Sequence, residues 1–224
     1  MKVFIVIAAY NEGKSITKVI NGLKRGGYHD VVVVDDGSRD NTFEIAEKTG
    51  VDVLQHFLNR GQGAALKTGI DYALLQGADI IVTFDADGQH KVSEIMRVVE
   101  PVLNGEVEVT LGSRFLDKET SLPFKKWIVL KGAILLTWIM YGIRLSDAHN
   151  GFRAFSRKAA KKIDIKADRM EHASEIVEEI HKKNIKFKEV PVTILYTNYA
   201  MRKGQSVWNS LRIFGKMVKK KMVD

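Results

Sequence analysis

Apolar residues in the first half of the chain fall into short, nearly continuous runs, and the segments between them have helical spacing. VFIVIAA (3–9), VVVVDD (31–36), VDVLQHF (51–57), DIIVTFD (79–85) and VEVTLGS (107–113) are predicted strands. Helices are predicted over about 14–25, 42–50, 63–77 and 92–104. Strands apolar on both faces, each followed by a helix, predict a parallel sheet covered on both sides. Ligands of such sheets gather at the carboxyl ends of the strands. Those ends here read AYNE, DDGS, NRGQG, DADGQH and GSRF, so five polar or glycine-rich turns should share one rim.

Beyond residue 114 the rhythm changes. WIVLKGAILLTWIMYGI (127–143) is apolar on nearly every face, with Lys131 its only charge. It sits at the short limit for a membrane span, and Trp127, Trp138 and Tyr141 are aromatics of the kind found at membrane interfaces. We expect an interfacial helix, with burial in a globular domain as the competing outcome. DAHNGFRAFSRKAAKKI, an acidic helix within MEHASEIVEEIHKKN and the strand KFKEVPVTI follow. No linker or repeat divides the 224 residues, so we expect one domain. Residues 1–113 would form a nucleotide-binding half, and 114–224 a half facing the acceptor and the membrane.

Composition narrows the chemistry. The chain lacks cysteine, which removes disulfides, thiolate metal sites and thiol catalysis. MKVFIVIAAYNE has no signal-peptide pattern, so residence in the cytoplasm, peripheral on the cytoplasmic face of a membrane, is the expectation. The net charge of +8 fits an anionic partner, whether nucleic acid, membrane or phosphorylated substrate. Basic residues concentrate in the tail RIFGKMVKKKMVD, among apolar ones, as in helices that lie on anionic bilayers. A core-docked helix with a solvated face would leave the same pattern.

The richest chemistry is at DADGQH. Alternation along a strand would point Asp85 and Asp87 to one side, where two carboxylates can share a divalent cation. Hard oxygen ligands favour Mg²⁺ or Mn²⁺, with phosphate oxygens completing the shell. A calcium loop of EF-hand type fails, because His90 and Met96 stand where Gly and Glu are required. A plain turn remains the alternative. His90 ranks below Gln89 as a further ligand, since a lone histidine is more often structural. In NRGQGAALKTG, Gly61 and Gly63 open a helix whose backbone N–H groups could hold phosphate, with Arg60 and Lys67 nearby. Tyr10 offers an aromatic face, Asp36 an acceptor for a base or ribose, and Asp40 a helix cap.

AAYNE, VVDDGSRDNT, NRGQGAALKTG, DADGQH, GSRF and DAHNGFRAF occur in this order between residues 8 and 155, and the likeness they carry covers residues 2–206. The set resembles the inverting family-2 glycosyltransferases of GT-A fold, in particular polyprenyl-phosphate sugar synthases of the dolichyl-phosphate mannose synthase type. The resemblance implies an α/β GT-A fold with a mostly parallel central sheet and helices on both faces. Acceptor-side helices, including 127–143, would be added to it. It implies that Ala8, Tyr10, Glu12, Asp36, Gly63, Lys67, Asp85, Ala86, Asp87 and Gln89 bind the nucleotide sugar. Asp85, Asp87 and Gln89 would hold the metal. Ser113, Arg114, Asn150, Arg153, Arg202 and Lys203 would lie at the acceptor phosphate or diphosphate. Ala8 departs from the proline usual in the first motif.

Transfer from GDP-mannose or a UDP-sugar to a polyprenyl (dolichyl) phosphate would then follow, with Asp87, Arg114, Asp147 and Arg153 as the catalytic group. A phosphate monoester is already largely anionic at neutral pH, its second pKa being about 6, so no base is required. A sugar-hydroxyl acceptor would need one, with Asp147 first in line and Glu171 or Glu175 behind it. A separate membrane protein could assist at the membrane surface. A nucleotidyltransferase would need a basic glycine-rich loop after the first strand, which AYNEGKS supplies poorly. A nucleic-acid binder would leave the rim carboxylates unexplained, so nucleic acid is not an expected partner.

Overall fold

The computed structural model describes residues 1–117, 124–147 and 150–195. Seven strands form one sheet in the order β3-β2-β1-β4-β6-β5-β7. They are β1 (Val3–Ala9), β2 (Val31–Asp35), β3 (Asp52–Gln55), β4 (Ile80–Thr83), β5 (Val109–Ser113), β6 (Arg153–Ser156) and β7 (Phe187–Pro191). All neighbours pair in parallel except β6, which runs antiparallel between β4 and β5. The helices are α1 (Ile16–Arg25), α2 (Thr42–Glu47), α3 (Gln62–Leu75), α4 (Ile95–Leu103), α5 (Phe124–Tyr141), α6 (Arg157–Lys162) and α7 (His172–Lys182).

Strand alternation divides the core between the two faces of the sheet. Phe4, Val6, Val32 and Val34 pack with Ala65, Ile70, Ala159 and Ile176 of α3, α6 and α7. Ile5, Ile7, Val31 and Val33 pack with Ile16, Ile20, Ala46 and Val98 of α1, α2 and α4. Helix α1 buries Ile16, Val19, Ile20 and Leu23, a stripe at the spacing that keeps one helix face inward. Each such side chain contributes about 1.5–3 kcal/mol when fully withdrawn from water.

The parallel halves on either side of β6 put six carboxyl ends on one rim. Antiparallel β6 begins at that rim, with Arg153 opposite Thr83 of β4 and Leu111 of β5. This strand lies inside DAHNGFRAFSRKAAKKI, where the sequence pattern predicted no strand.

Helix α5 turns Trp127, Ile128, Leu135, Trp138 and Ile139 toward solvent, with Ile139 70% exposed. Ile134, one turn before Trp138, packs on the core. The Arg144 guanidinium lies 4.4 Å from the centre of the Trp138 ring. Among the described residues no helix is long and apolar enough to cross a membrane. The basic tail lies outside the described residues.

Candidate active site

Strand β4 stops at Thr83, so Asp85 and Asp87 lie beyond it in a turn closed by Gly88 at a φ of +75°. The turn, rather than the strand alternation expected for 79–85, sets the relation of the two carboxylates. His90 is buried against the rings of Phe84 and Phe152, and its Nε2 lies 3.0 Å from Asp85 Oδ2. Gln89 donates to Asp87 from its backbone N–H at 3.0 Å and from its amide at 2.6 Å. Gly151 lies close beside the turn, where a Cβ would come to 3.0 Å from Asp85 Oδ1.

The two carboxyls differ electrostatically. Burial pushes Asp85 up, but the charges of His90, His172 and Arg114 outweigh it and leave its pKa below the ordinary carboxylate value. Burial pushes Asp87 up and the negative Asp85 adds to it, against the Gln89 hydrogen bonds, so its pKa ends raised. A cation between them would relieve this repulsion, and the all-oxygen donor set of two carboxylates and the Gln89 side-chain amide oxygen suits Mg²⁺ or Mn²⁺. Among the described residues no three His, Asp or Glu side chains form a metal cage. The remaining ligands would come from phosphate and water.

On the other side, the turn is clamped by the chain that follows β7. Leu195 donates its N–H to the Gln89 carbonyl at 2.9 Å, and His90 forms a bridge with Ile194. Thr193 is fixed by the buried Glu94, which accepts its N–H and its hydroxyl, each at 2.8 Å. Arg202 and Lys203, expected near the phosphates, lie outside the described residues.

The loop after β3 is organised around Asp36. This buried carboxylate accepts from the Arg60 N–H at 3.0 Å, the Gly61 N–H at 2.7 Å and the Asn59 amide at 2.9 Å. His56 Nδ1 lies 2.8 Å from it. N–H groups expected to cradle phosphate thus bind a carboxylate of the chain itself. Gly63 serves close packing, since a Cβ would fall 2.0 Å from the Ala167 carbonyl oxygen. Lys67 is held by Asp71 one turn along α3.

Tyr10 is 40% exposed at the rim, whereas Ala8 packs against the core and Ala86 is buried within it. The Glu12 side chain accepts from the Ser15 hydroxyl at 2.6 Å. Asp40 binds the N–H of Thr42 at the start of α2, close to the capping role expected of it.

A second polar cluster follows β5. Arg114 Nε lies 2.5 Å from Asp147 Oδ2, with Asp147 buried and Arg114 nearly so. Glu189 holds the preceding turn by accepting the N–H groups of Ser146 and Asp147 at 2.9 and 3.1 Å. The hydroxyls of Ser113 and Ser146 meet at 2.6 Å. Asn150 is buried and accepts the Phe152 N–H at 3.0 Å. Arg153 is buried as well, donating to the carbonyls of Asn150 and Ala173 at 3.0 and 3.1 Å. Burial lowers its pKa to about 10, while Asp147 and Asp85 oppose the shift. Glu175 caps backbone N–H groups of Lys166 and Ala167.

His172 and Gln62 join the site without having been singled out in the sequence. The Gln62 amide reaches Asp85 Oδ1 at 3.4 Å. His172, buried at the start of α7, donates Nδ1–H to the Arg169 carbonyl at 2.8 Å. Burial and the charge of Arg153 lower its pKa from 6.5 to about 4, against that hydrogen bond and the charges of Asp85 and Glu171. An unfolded chain would take up this proton near pH 6.5 and the folded one only near pH 4. Metal-free protein should therefore lose about 2–3 kcal/mol between those values and nothing from this group above them. Denaturant unfolding at pH 7.5 and 4.5 should show this loss in the native chain and a smaller one in His172→Gln. Equal losses in the two proteins would refute it.

A mostly parallel sheet whose rim carries paired carboxylates, with arginines at the neighbouring strand ends, is the frame of a GT-A glycosyltransferase. The chain belongs to glycosyl transferase family 2, whose family model matches residues 4–164, and it is a glycosyltransferase. It is 45% identical over 225 residues to an uncharacterized protein of Methanocaldococcus jannaschii, covering 99% of this chain and 93% of that one. It is 34% identical over 241 residues to the UDP-N-acetylglucosamine–dolichyl-phosphate N-acetylglucosaminyltransferase of Methanococcus voltae, covering 98% and 96%. The fold matches Mycobacterium tuberculosis glucosyl-3-phosphoglycerate synthase, solved with Mn²⁺, UDP and glucosyl-3-phosphoglycerate. The TM-score is 0.75 at 17% identity, over 97% of this chain and 79% of that one.

Proposed function

We propose that the chain transfers a sugar from a nucleoside-diphosphate sugar, GDP-mannose or a UDP-sugar, to a polyprenyl (dolichyl) phosphate at a membrane surface, with inversion at the anomeric carbon. The observation that carries this reading is the approach of the Asp85–Asp87 turn to the rim that bears Arg114 and Arg153. One side of the rim suits a cation-bound diphosphate, the other an anionic acceptor. The Methanococcus voltae relative, named for transfer to dolichyl phosphate, supports the acceptor class.

A divalent cation held by Asp85, Asp87 and Gln89 would supply Lewis-acid stabilisation of the departing nucleoside diphosphate. Arg114, kept charged and oriented by Asp147, would steer the acceptor phosphate by charge-assisted hydrogen bonds. Arg153 would act from within, holding Asn150 and the start of α7 in place while adding positive potential. The acceptor oxygen attacks the anomeric carbon as the bond to the diphosphate breaks. The products are a sugar phospholipid and a nucleoside diphosphate. Asp147 is not called upon as a base, and its ion pair with Arg114 makes it a poor one.

Purified protein with Mg²⁺ or Mn²⁺, short-chain polyprenyl phosphate and a panel of nucleotide sugars tests the reading. One donor should yield nucleoside diphosphate and a sugar-modified lipid in equal amounts. Transfer to free sugars but never to the lipid phosphate would overturn the acceptor assignment.

Membrane association would use the exposed side of α5, together with the basic tail. Replacing Leu135 and Ile139 by glutamate should lower binding to anionic liposomes at least about fivefold, since charge there opposes insertion. The melting temperature should hold, because both side chains already face solvent. Deleting residues 207–224 should weaken flotation too. Undiminished flotation of both variants would remove the membrane from the proposal.

A further inference from the structure

Beside Asp85 lies a partly open cavity of about 80 Å³ between the ends of β4 and β6 and the helices α3 and α7. A single water needs about 15 Å³, so the cavity has room for a small chemical group. Its walls are of two kinds. Gln62, Thr83, Asp85, Arg153 and His172 supply polar groups, while Leu66, Met170, Ala173 and Ile176 supply an apolar surface. The polar wall is rigid, because Arg153 is tied to the carbonyls of Asn150 and Ala173.

We infer that this cavity receives an acetamido substituent of the donor sugar, so that the enzyme selects an N-acetylhexosamine over the plain hexose. The inference rests on the proposed nucleotide-sugar reading, which puts the donor diphosphate at the Asp85–Asp87 turn. A sugar joined to that diphosphate would lie against Asp85, which belongs to both the turn and the cavity wall.

The chemistry of the walls discriminates among substituents. A hydroxyl could pair with one donor and one acceptor but would leave the apolar wall against water. An ammonium could pair with Asp85 but would lie beside the buried guanidinium of Arg153, a carboxylate could pair with Arg153 but would lie beside Asp85, and neither would cover the apolar wall. An acetamido group is neutral. Its N–H can donate to Asp85, its carbonyl can accept from Gln62 or Arg153, and its methyl covers the side formed by Met170, Ala173 and Ile176. A site with polar groups placed for such a substituent loses affinity for a ligand that leaves them unpaired.

The test compares donors that share a nucleotide and differ only in the acetamido group, such as UDP-N-acetylglucosamine and UDP-glucose. Titration calorimetry with Mn²⁺ and the intact chain reads binding, and a lipid-product assay reads transfer. The acetamido donor should bind at least tenfold more tightly. Ala173→Val, which fills the cavity from α7, should reduce the ratio of the two affinities at least tenfold. Met170→Phe provides a second filling variant should the first fail to fold.

Equal affinities in the native chain, or an unchanged ratio in folded filling variants, would overturn the inference. So would the failure of either donor, and of a GDP-linked pair, to bind. Preference for the acetamido donor without transfer to polyprenyl phosphate would instead overturn the acceptor reading and leave the cavity assignment standing.

Discussion

Asp87→Ala is expected to reduce transfer at least about a thousandfold, a loss of roughly 4 kcal/mol in transition-state stabilisation. The fold should survive it. In the free protein Asp87 is costly, since burial and the neighbouring Asp85 both raise its pKa. A carboxyl more protonated in the folded than in the unfolded state favours the folded chain as pH falls and burdens it above the folded pKa. Removing its charge should therefore leave the melting temperature at neutral pH unchanged or slightly higher, and Asp87→Asn should do the same while retaining a partner for Gln89. Mn²⁺ should raise the melting temperature of the native chain, because a ligand that binds only the folded state stabilises it. Both variants should lose most of that increment. Native transfer rates, or an undiminished Mn²⁺ increment, would show that the turn does not hold the metal.

The sheet was legible because parallel strands buried on both faces need apolar side chains at every position, and VFIVIAA and VVVV meet that demand. Strand β6 was hidden for the opposite reason. It is four residues long, opens on Arg153 and owes its place to pairing with β4 and β5, both remote in sequence. At DADGQH the turn that the Asp-Gly pair allows is the one observed, with Gly88 at a φ of +75°. The site was opaque where tertiary contacts decide what a polar side chain faces. Asp36 looks like an open acceptor in VVDDGS, yet donors from 56–61 surround it. His172 looks like an isolated histidine in an acidic helix, and only the packing of α7 against α3 brings it to the cavity that Asp85 lines. Its local sequence has no signal that could have revealed this.

Asp147→Ala is expected to lower the unfolding free energy by about 3–5 kcal/mol, the cost of leaving a buried charge without its counter-ion. Arg114 and Asp147 are 9% and 1% exposed at their side chains, and Asp147 also accepts the Arg114 N–H at 3.2 Å. Such a pair contributes little against an apolar replacement of equal volume, because each charge lost its hydration on burial. The double variant Arg114→Met/Asp147→Leu should therefore regain most of the stability lost in the single one. Transfer should not return with it. If Arg114 steers the acceptor phosphate, the double variant remains at least about a hundredfold slow, with the larger part of the defect in KM for the lipid. A general-base role for Asp147 predicts something else: Asp147→Asn would keep its KM for the acceptor and lose kcat alone. Chemical denaturation and steady-state kinetics on these variants separate a carboxylate that holds an arginine from one that takes a proton.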